Sequence, residues 1–494
     1  MRRRARTIRG RTLALLTALW LLGGCAGQLP SAPAPAESPG AAVLGRMRFP
    51  PLQVSIPRVG RDVERRVLAN GIVVYLAEDR SLPVIDATAM FRAGSLYEPA
   101  GRQGLAQLTA SQLRSGGTIR LDAAALNEEL EVLGASVEAS ASLEAISVSM
   151  GALAKDTDRA LELFADVIRR PGFDPQPLQT AKGRLIEDLR RVNDNPPRLM
   201  AREFSRTLYT DAHPLGRPMT AAQVAQIAAE ELRGYYQQYI RPDTMLLAVV
   251  GDFDRAALLG KLTALFGDWT AEPSRRPAIP AVQPRDARGV FLVARPLAQA
   301  SLTVGHLGID RSNPDRYAVE VMDLILGGSG FTSRIMDRVR TREGLAYSVG
   351  TSFPTAWPVT GPFRATAQTM NENVPRAVAA ILDEMQRIRR EPVTTEELAG
   401  AKQAIENSYV FRFSSRFTTV VQLMRLEFDG EPSDYYETLL DRYRAVTAAD
   451  IQRVAVTYLR PEAATIVVVG DAAKFETQMA QFGPVSRLSL DRSE

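Results

Sequence analysis

The sequence predicts an α+β fold of two duplicated lobes, each a mostly antiparallel sheet layered with helices. The first sign is an internal repeat. Tyr239-Ile240-Arg241-Pro242, an apolar run and Gly251-Asp252 recur as Tyr458-Leu459-Arg460-Pro461, an apolar run and Gly470-Asp471. The offset is 219 residues for both the tyrosines and the glycines, and it also maps Ala228-Ala229-Glu230-Glu231-Leu232 onto Thr447-Ala448-Ala449-Asp450-Ile451. Each copy reads as a helix, a proline-marked turn, a buried strand and a Gly-Asp stop. The second sign is a proline-rich stretch, 272–289, holding Pro273, Pro277, Pro280 and Pro284. It reads as a linker between halves of similar size, 61–271 and 290–494. The third is the grouping of strands beside clustered helices, which suggests an α+β layer in each lobe.

Taken in order, the chain opens on a targeting segment, 1–24. Six arginines precede an apolar run, 13–22, that is short for a membrane span of ~20 residues. The run ends in Leu22-Gly23-Gly24-Cys25, which resembles the bacterial lipoprotein cleavage box and implies lipidation of Cys25. The alternative is a plain signal peptide with an incidental cysteine. Cys25 is the only cysteine, so no internal disulfide is possible. Residues 25–60 are rich in proline, alanine and serine and read as an extended tether. Ala26 is not an aspartate-type retention signal, which favours the outer membrane. In the first lobe, Asn70-Gly71 marks a hairpin with a return strand to Leu76. A strand over 84–91 follows, then helices near 101–114, 122–134, 156–170, 176–192 and 197–208.

The 494 residues are 45% hydrophobic and 23% charged, a composition for two or more folded domains. Net charge is +4, but removing the six arginines of the targeting segment takes it to −2. A nucleic-acid binder keeps its basic surface in the mature domain, so that class is excluded.

The chemistry-bearing residues carry a family resemblance. Arg92-Ala93-Gly94-Ser95, Gly104-Leu105-Ala106 and Gly117-Thr118, after the Asn70-Gly71 hairpin and within duplicated lobes, resemble the signature region of the pitrilysin/insulinase metallopeptidases. The likeness spans essentially everything after residue 60 and implies the mitochondrial-processing-peptidase-like fold. It also implies His-x-x-Glu-His directly after the Gly-Leu-Ala element. At that spacing two histidines share one helix face and bind zinc, while the glutamate is general base to the zinc-bound water. The matching positions here are Gln107, Ala110 and Ser111, so both ligands and the base are replaced. The chain has two histidines, His213 and His306, 93 residues apart, and neither has an i+4 partner. Both read as structural. The resemblance places a third, glutamate ligand at Glu187, 76 residues after Ser111; a solvated helix glutamate is the plainer reading.

Another family feature persists. Gly327-Gly328-Ser329-Gly330-Phe331-Thr332-Ser333-Arg334 precedes Arg340 and Gly344-Leu345-Ala346-Tyr347. The stretch lacks the Gly-Lys-Ser/Thr ending of a phosphate loop. In active relatives the matching arginine and tyrosine reach across the chamber and hold substrate and the developing oxyanion. Arg340 and Tyr347 are seven apart, so one helix face is expected to present both. The alternative is a surface ion pair and a core cap. The resemblance therefore implies a non-catalytic subunit with no cofactor of its own. It would pair with a zinc-bearing family subunit to process peptides on the periplasmic side of a bacterial membrane. Two other readings remain: a stand-alone peptide-binding or scaffold lipoprotein, and a hydrolase using Ser111 or Thr109, for which no histidine lies nearby in sequence.

Overall fold

The computed structural model describes residues 56–272, 278–283 and 287–490. Cys25, the targeting segment, most of the tether and parts of the proline-rich linker lie outside those residues.

In the first lobe, strands β1 (Glu64–Val67), β2 (Val73–Glu78), β3 (Val84–Phe91), β4 (Ser136–Ala141), β5 (Ile146–Leu153) and β6 (Leu246–Gly251) form one sheet in the order β1-β2-β6-β3-β5-β4. The Asn70-Gly71 turn joins β1 to β2 as an antiparallel hairpin. Only the β2–β6 pair is parallel, where the lobe's last strand closes beside its second. The second lobe repeats this with β7 (Gly289–Ala294), β8 (Gln299–Leu307), β9 (Ala346–Ser352), β10 (Pro362–Met370), β11 (Thr465–Gly470) and β12 (Val485–Arg487), ordered β12-β7-β11-β8-β10-β9. The two copies of the repeated apolar run, β6 and β11, occupy the same third place. The lobes differ at one edge: β1 runs antiparallel to β2, whereas β12 runs parallel to β7.

Helices of the first lobe are α1 (Leu105–Ser115), α2 (Ala123–Leu133), α3 (Thr157–Arg169), α4 (Pro175–Val192), α5 (Pro196–Leu208), α6 (Ala221–Gln226), α7 (Ala229–Tyr239) and α8 (Arg255–Phe266). Their starts follow capping chemistry: Asp122, Asp174 and Asn195 each accept a backbone N–H of the first turn. Helices α1, α3, α7 and α8 bury their apolar faces on one side of the sheet, around Ile85, Ala87, Ala89 and Phe91 of β3. Alternation along β3 sends Asp86, Thr88 and Met90 to the opposite face. The second lobe adds α9 (Arg316–Asp323), α10 (Val374–Arg390), α11 (Thr395–Tyr409), α12 (Arg416–Asp429), α13 (Tyr435–Ala445) and α14 (Ala448–Tyr458).

Two helices cross between lobes. Leu199, Met200, Phe204 and Leu208 of α5 form a cluster with Val293, Val467 and Val469 on the second lobe's sheet. In return, α12 lies against β6 and β2 of the first lobe. There the Arg92 guanidinium sits 4.3 Å from the centre of the Phe428 ring, and Arg65 holds Glu427 in a two-pronged pair at 2.8 and 2.7 Å. Arg311 of the second lobe bonds Glu144 of the first and lies 2.7 Å from Asp429. Each fully buried Phe in this exchange contributes about 1.5–3 kcal/mol by transfer alone, more than an exposed ion pair.

Candidate functional site

The first lobe's candidate site begins where β3 ends. Glu98 is buried in front of α1 and accepts the backbone N–H groups of Gly104 at 3.1 Å and Ala106 at 2.8 Å. It satisfies two of the donors a helix start leaves orphaned. Burial pushes its carboxyl up to about 7, against those two hydrogen bonds. The sequence reading missed Glu98; its signal was an acidic residue six positions before a glycine that opens an apolar helix.

From that anchored start, α1 presents Gln107 and Ser111 to a cavity of about 760 Å³, whose far wall is α4. Ala110 turns inward and is buried. On α4 the wall runs through Pro177, Thr180, Ala181, Arg184, Leu185 and Asp188. Glu187 is not part of it: its carboxylate bonds Arg190 at 2.6 Å on the exposed side. At about 100° per residue, Glu187 lies roughly a quarter turn off the cavity face. The acid that faces the matching α1 positions is therefore Asp188, one residue beyond the expected one. Arg198 binds it in a fork at 3.0 and 2.8 Å and holds its carboxyl below the usual range.

Zinc does not fit this set. Gln107 and Ser111 offer neutral oxygens or an amide, Ala110 has no base, and Asp188 is already neutralised. Among the described residues no three His, Cys, Asp or Glu side chains form a group able to hold a metal ion. Neither candidate hydroxyl is activated for attack. Ser111 Oγ lies 3.4 Å from Ser115 Oγ, and Thr109 is fully buried. The histidines hold turns elsewhere. His213 Nδ1 accepts the Leu215 N–H at 3.2 Å, and its ring stacks on Tyr209. His306 Nε2 accepts the Arg460 N–H at 3.0 Å, inside the repeated Tyr-Leu-Arg-Pro turn, and burial lowers its pKa to about 4.

The second lobe handles the equivalent segment differently. After α9 the backbone loosens into π-helical turns at Leu324–Gly328 and Asp337–Arg342. Gly327 is required there, since a Cβ would lie 2.5 Å from Thr351 on β9. One helix does not present Arg340 and Tyr347 together, as the seven-residue spacing suggested. Arg340 sits in the second π stretch, Gly344 at φ +60° ends it, and Tyr347 is already on β9. Pairing between β9 and β10 steps from Ser348–Gln368 to Ala346–Thr369, so Tyr347 is the extra residue of a β-bulge. Bulges and π turns re-aim side chains, and both irregularities act here on the two candidate residues. The result is contact: the Arg340 guanidinium lies 5.6 Å from the Tyr347 ring centre, within cation–π range. Tyr347 is 74% exposed. Neighbouring arginines are committed to carboxylates, Arg334 to Glu397 at 2.6 and 2.7 Å and Arg338 to Glu343 at 3.0 Å and Asp383 at 3.1 Å.

Comparison with known proteins gives the following. Residues 73–223 match the family described as "Insulinase (Peptidase family M16)", and residues 226–405 match "Peptidase M16 inactive domain". An uncharacterized zinc protease of Streptomyces coelicolor is 24% identical over 346 residues, 69% of this chain and 75% of its own length. A probable mitochondrial-processing peptidase subunit beta of Arabidopsis thaliana is 23% identical over 415 residues, 82% of this chain and 77% of that protein. The crystal structure of a peptidase M16 inactive domain from Pseudomonas fluorescens superposes with a TM-score of 0.75 at 27% identity, covering 83% of this chain and 98% of that one.

Proposed function

The chain belongs to the insulinase (M16) peptidase family, and on that premise we propose that it is the non-catalytic half of a metallopeptidase heterodimer. Its partner is a family subunit that carries His-x-x-Glu-His and the zinc. This chain supplies Arg340 and Tyr347 across the shared chamber, where they hold a peptide and the oxyanion that develops on its scissile carbonyl. One observation carries the reading. Gln107, Ala110 and Ser111 have all lost their chemistry, while the half-buried Arg340 guanidinium lies against the exposed Tyr347 ring. The relative from Arabidopsis is described as a subunit, which supports a family member acting in an assembly. Lipidation at Cys25 would tether the pair to the periplasmic side of a bacterial membrane. The substrate is an unfolded peptide or protein segment, and no nucleic acid is involved.

The test mixes the purified chain with a zinc-motif family subunit encoded beside it. Co-elution and a rate of peptide cleavage above that of the partner alone are expected. Separate elution with no gain in rate sinks the proposal. Peptide binding by this chain in the absence of any such pairing would point instead to a stand-alone peptide-binding lipoprotein.

A further inference from the structure

The second lobe's sheet has one face under α10 and the other only half covered by α5. The apolar residues of α5 lie over β7 and β11, on Val293, Val467 and Val469. α5 also covers β8, where Ser301 and Thr303 are buried and Thr303 Oγ1 lies 3.3 Å from Met200 Sδ; beyond it, over β10 and β9, the same face is open and polar. Three cross-strand rows build it: Arg364 between Ser352 and Gly305, Thr366 between Gly350 and Thr303, and Gln368 between Ser348 and Ser301. Small side chains keep this floor low, and α5 forms a wall with Pro197, Met200, Ala201 and Phe204. The space between is a cleft of about 390 Å³.

Among the described residues, Arg364 is the one charged side chain lining the cleft, and no carboxylate lines it. It is half-buried and makes no hydrogen bond or ion pair with any described residue. The group it acts on is the Tyr209 hydroxyl, itself spent on the Thr360 carbonyl at 3.0 Å. Buried or half-buried arginines are ordinarily paired, so a cation left open in a roomy polar cleft is an anion site in waiting. Its planar fork matches a carboxylate in two parallel hydrogen bonds, and the serine and threonine hydroxyls beside it can donate to the remaining lone pairs. The first lobe is the internal control. The equivalent open face carries Asp86, Thr88 and Met90 on β3 opposite Gly151, Ser149 and Ser147 on β5, with Glu138 on β4. The same small-residue floor there has the opposite sign, so the positive charge belongs to this cleft and not to the fold.

We propose that Arg364 and its hydroxyl floor bind the carboxylate of a peptide chain, at its C-terminus or on an acidic side chain. The inference rests on the peptide-binding role proposed above and adds a charge preference to it.

The experiment uses the full mature chain and fluorescein-labelled Ala/Ser decapeptides read by anisotropy. One ends in a free carboxylate, one in an amide, and one in an amide with a single internal glutamate. The free acid is expected to bind about tenfold more tightly than the amide, the scale of one charge-assisted pair. Arg364→Gln removes that difference and leaves amide affinity unchanged, while Arg364→Lys retains part of it. Tight binding of the glutamate peptide assigns the site to side-chain carboxylates; weak binding assigns it to C-termini. Equal affinity for acid and amide on the wild-type chain overturns the inference, as does a preference that survives Arg364→Gln in a variant with unchanged melting. If peptides still bind and Arg340→Ala weakens all three alike, the peptide-binding role stands while the carboxylate site falls. Absence of any peptide binding, by the chain alone and together with a zinc-motif family subunit, defeats both.

Discussion

The two lobes share a strand order, yet they treat the segment after the strand in fourth place, β3 or β8, differently. In the first, β3 leads through a buried glutamate cap into α1, a regular helix with its hydrogen bonds in place. Its matching positions are chemically silent: Gln107, Ala110 and Ser111. In the second, β8 leads into α9 and then into π turns, a positive-φ glycine and a bulged strand. There Arg340 and Tyr347 are kept in contact. Regular structure is what stability alone retains; irregular backbone that brings a half-buried arginine against an exposed tyrosine is a feature that stability does not explain. On the function proposed above, the comparison makes one lobe scaffold and gives the chemistry to the other.

The largest effects belong to the helices that hold the lobes to each other. Phe204→Ala on α5 removes a buried ring from the cluster on the second lobe's sheet, and Phe428→Ala on α12 removes the buried ring that Arg92 of the first lobe covers. A loss of about 3–5 kcal/mol is expected for either, read by urea unfolding. A loss confined to one of the two would show that the exchange is not reciprocal.

Next come the retained residues. In the heterodimer, Arg340→Ala should lower kcat roughly 10²-fold, the scale of a lost oxyanion donor, with unfolding changed by less than about 0.5 kcal/mol. Tyr347→Phe tests the hydroxyl separately. An Arg340→Ala variant as active as wild type would leave the irregular backbone without a purpose.

Two buried groups, one in each lobe, should answer pH in opposite senses. Glu98, in the first, is raised by burial from 4.5 to about 7, so its contribution is full below 4.5 and is lost as pH rises through 7. His306, in the second, is lowered by burial from 6.5 to about 4, so its contribution is full above 6.5 and is lost as pH falls through 4. Each limb is worth roughly 1–3 kcal/mol. Glu98→Gln should flatten the upper limb and His306→Gln the lower one, in melting temperatures taken from pH 4 to pH 8. A limb that persists in its own variant contradicts the assignment.

The smallest effect separates two adjacent acids. Glu187→Ala should change stability by less than about 0.5 kcal/mol, while Asp188→Ala releases Arg198 and costs about 0.2–1 kcal/mol. Equal effects would undo the placement of Asp188 on the cavity wall.

Much of this architecture is legible in the sequence. The helices expected near 156–170 and 176–192 are found at Thr157–Arg169 and Pro175–Val192, because apolar periodicity marks both and Asp174 caps the second. The repeated Tyr-x-Arg-Pro turns lead into β6 and β11 as read. The crossing of α5 and α12 was not legible, since an amphipathic face does not name the sheet it will cover. The one-residue choice between Glu187 and Asp188 depends on helix phase, which a motif count does not resolve. The contact between Arg340 and Tyr347 was expected for the wrong reason: a π turn and a bulge each insert one residue into a hydrogen-bond ladder, and periodicity is blind to both.

The central claim is that this chain does not carry the family's metal. The measurement that meets it most directly is the zinc content of the isolated full chain, purified without chelator and read by plasma mass spectrometry. Far less than one zinc per chain, unchanged by added zinc after desalting, is predicted. One zinc per chain, lost on Gln107→Ala or Asp188→Ala, would contradict the account at its root.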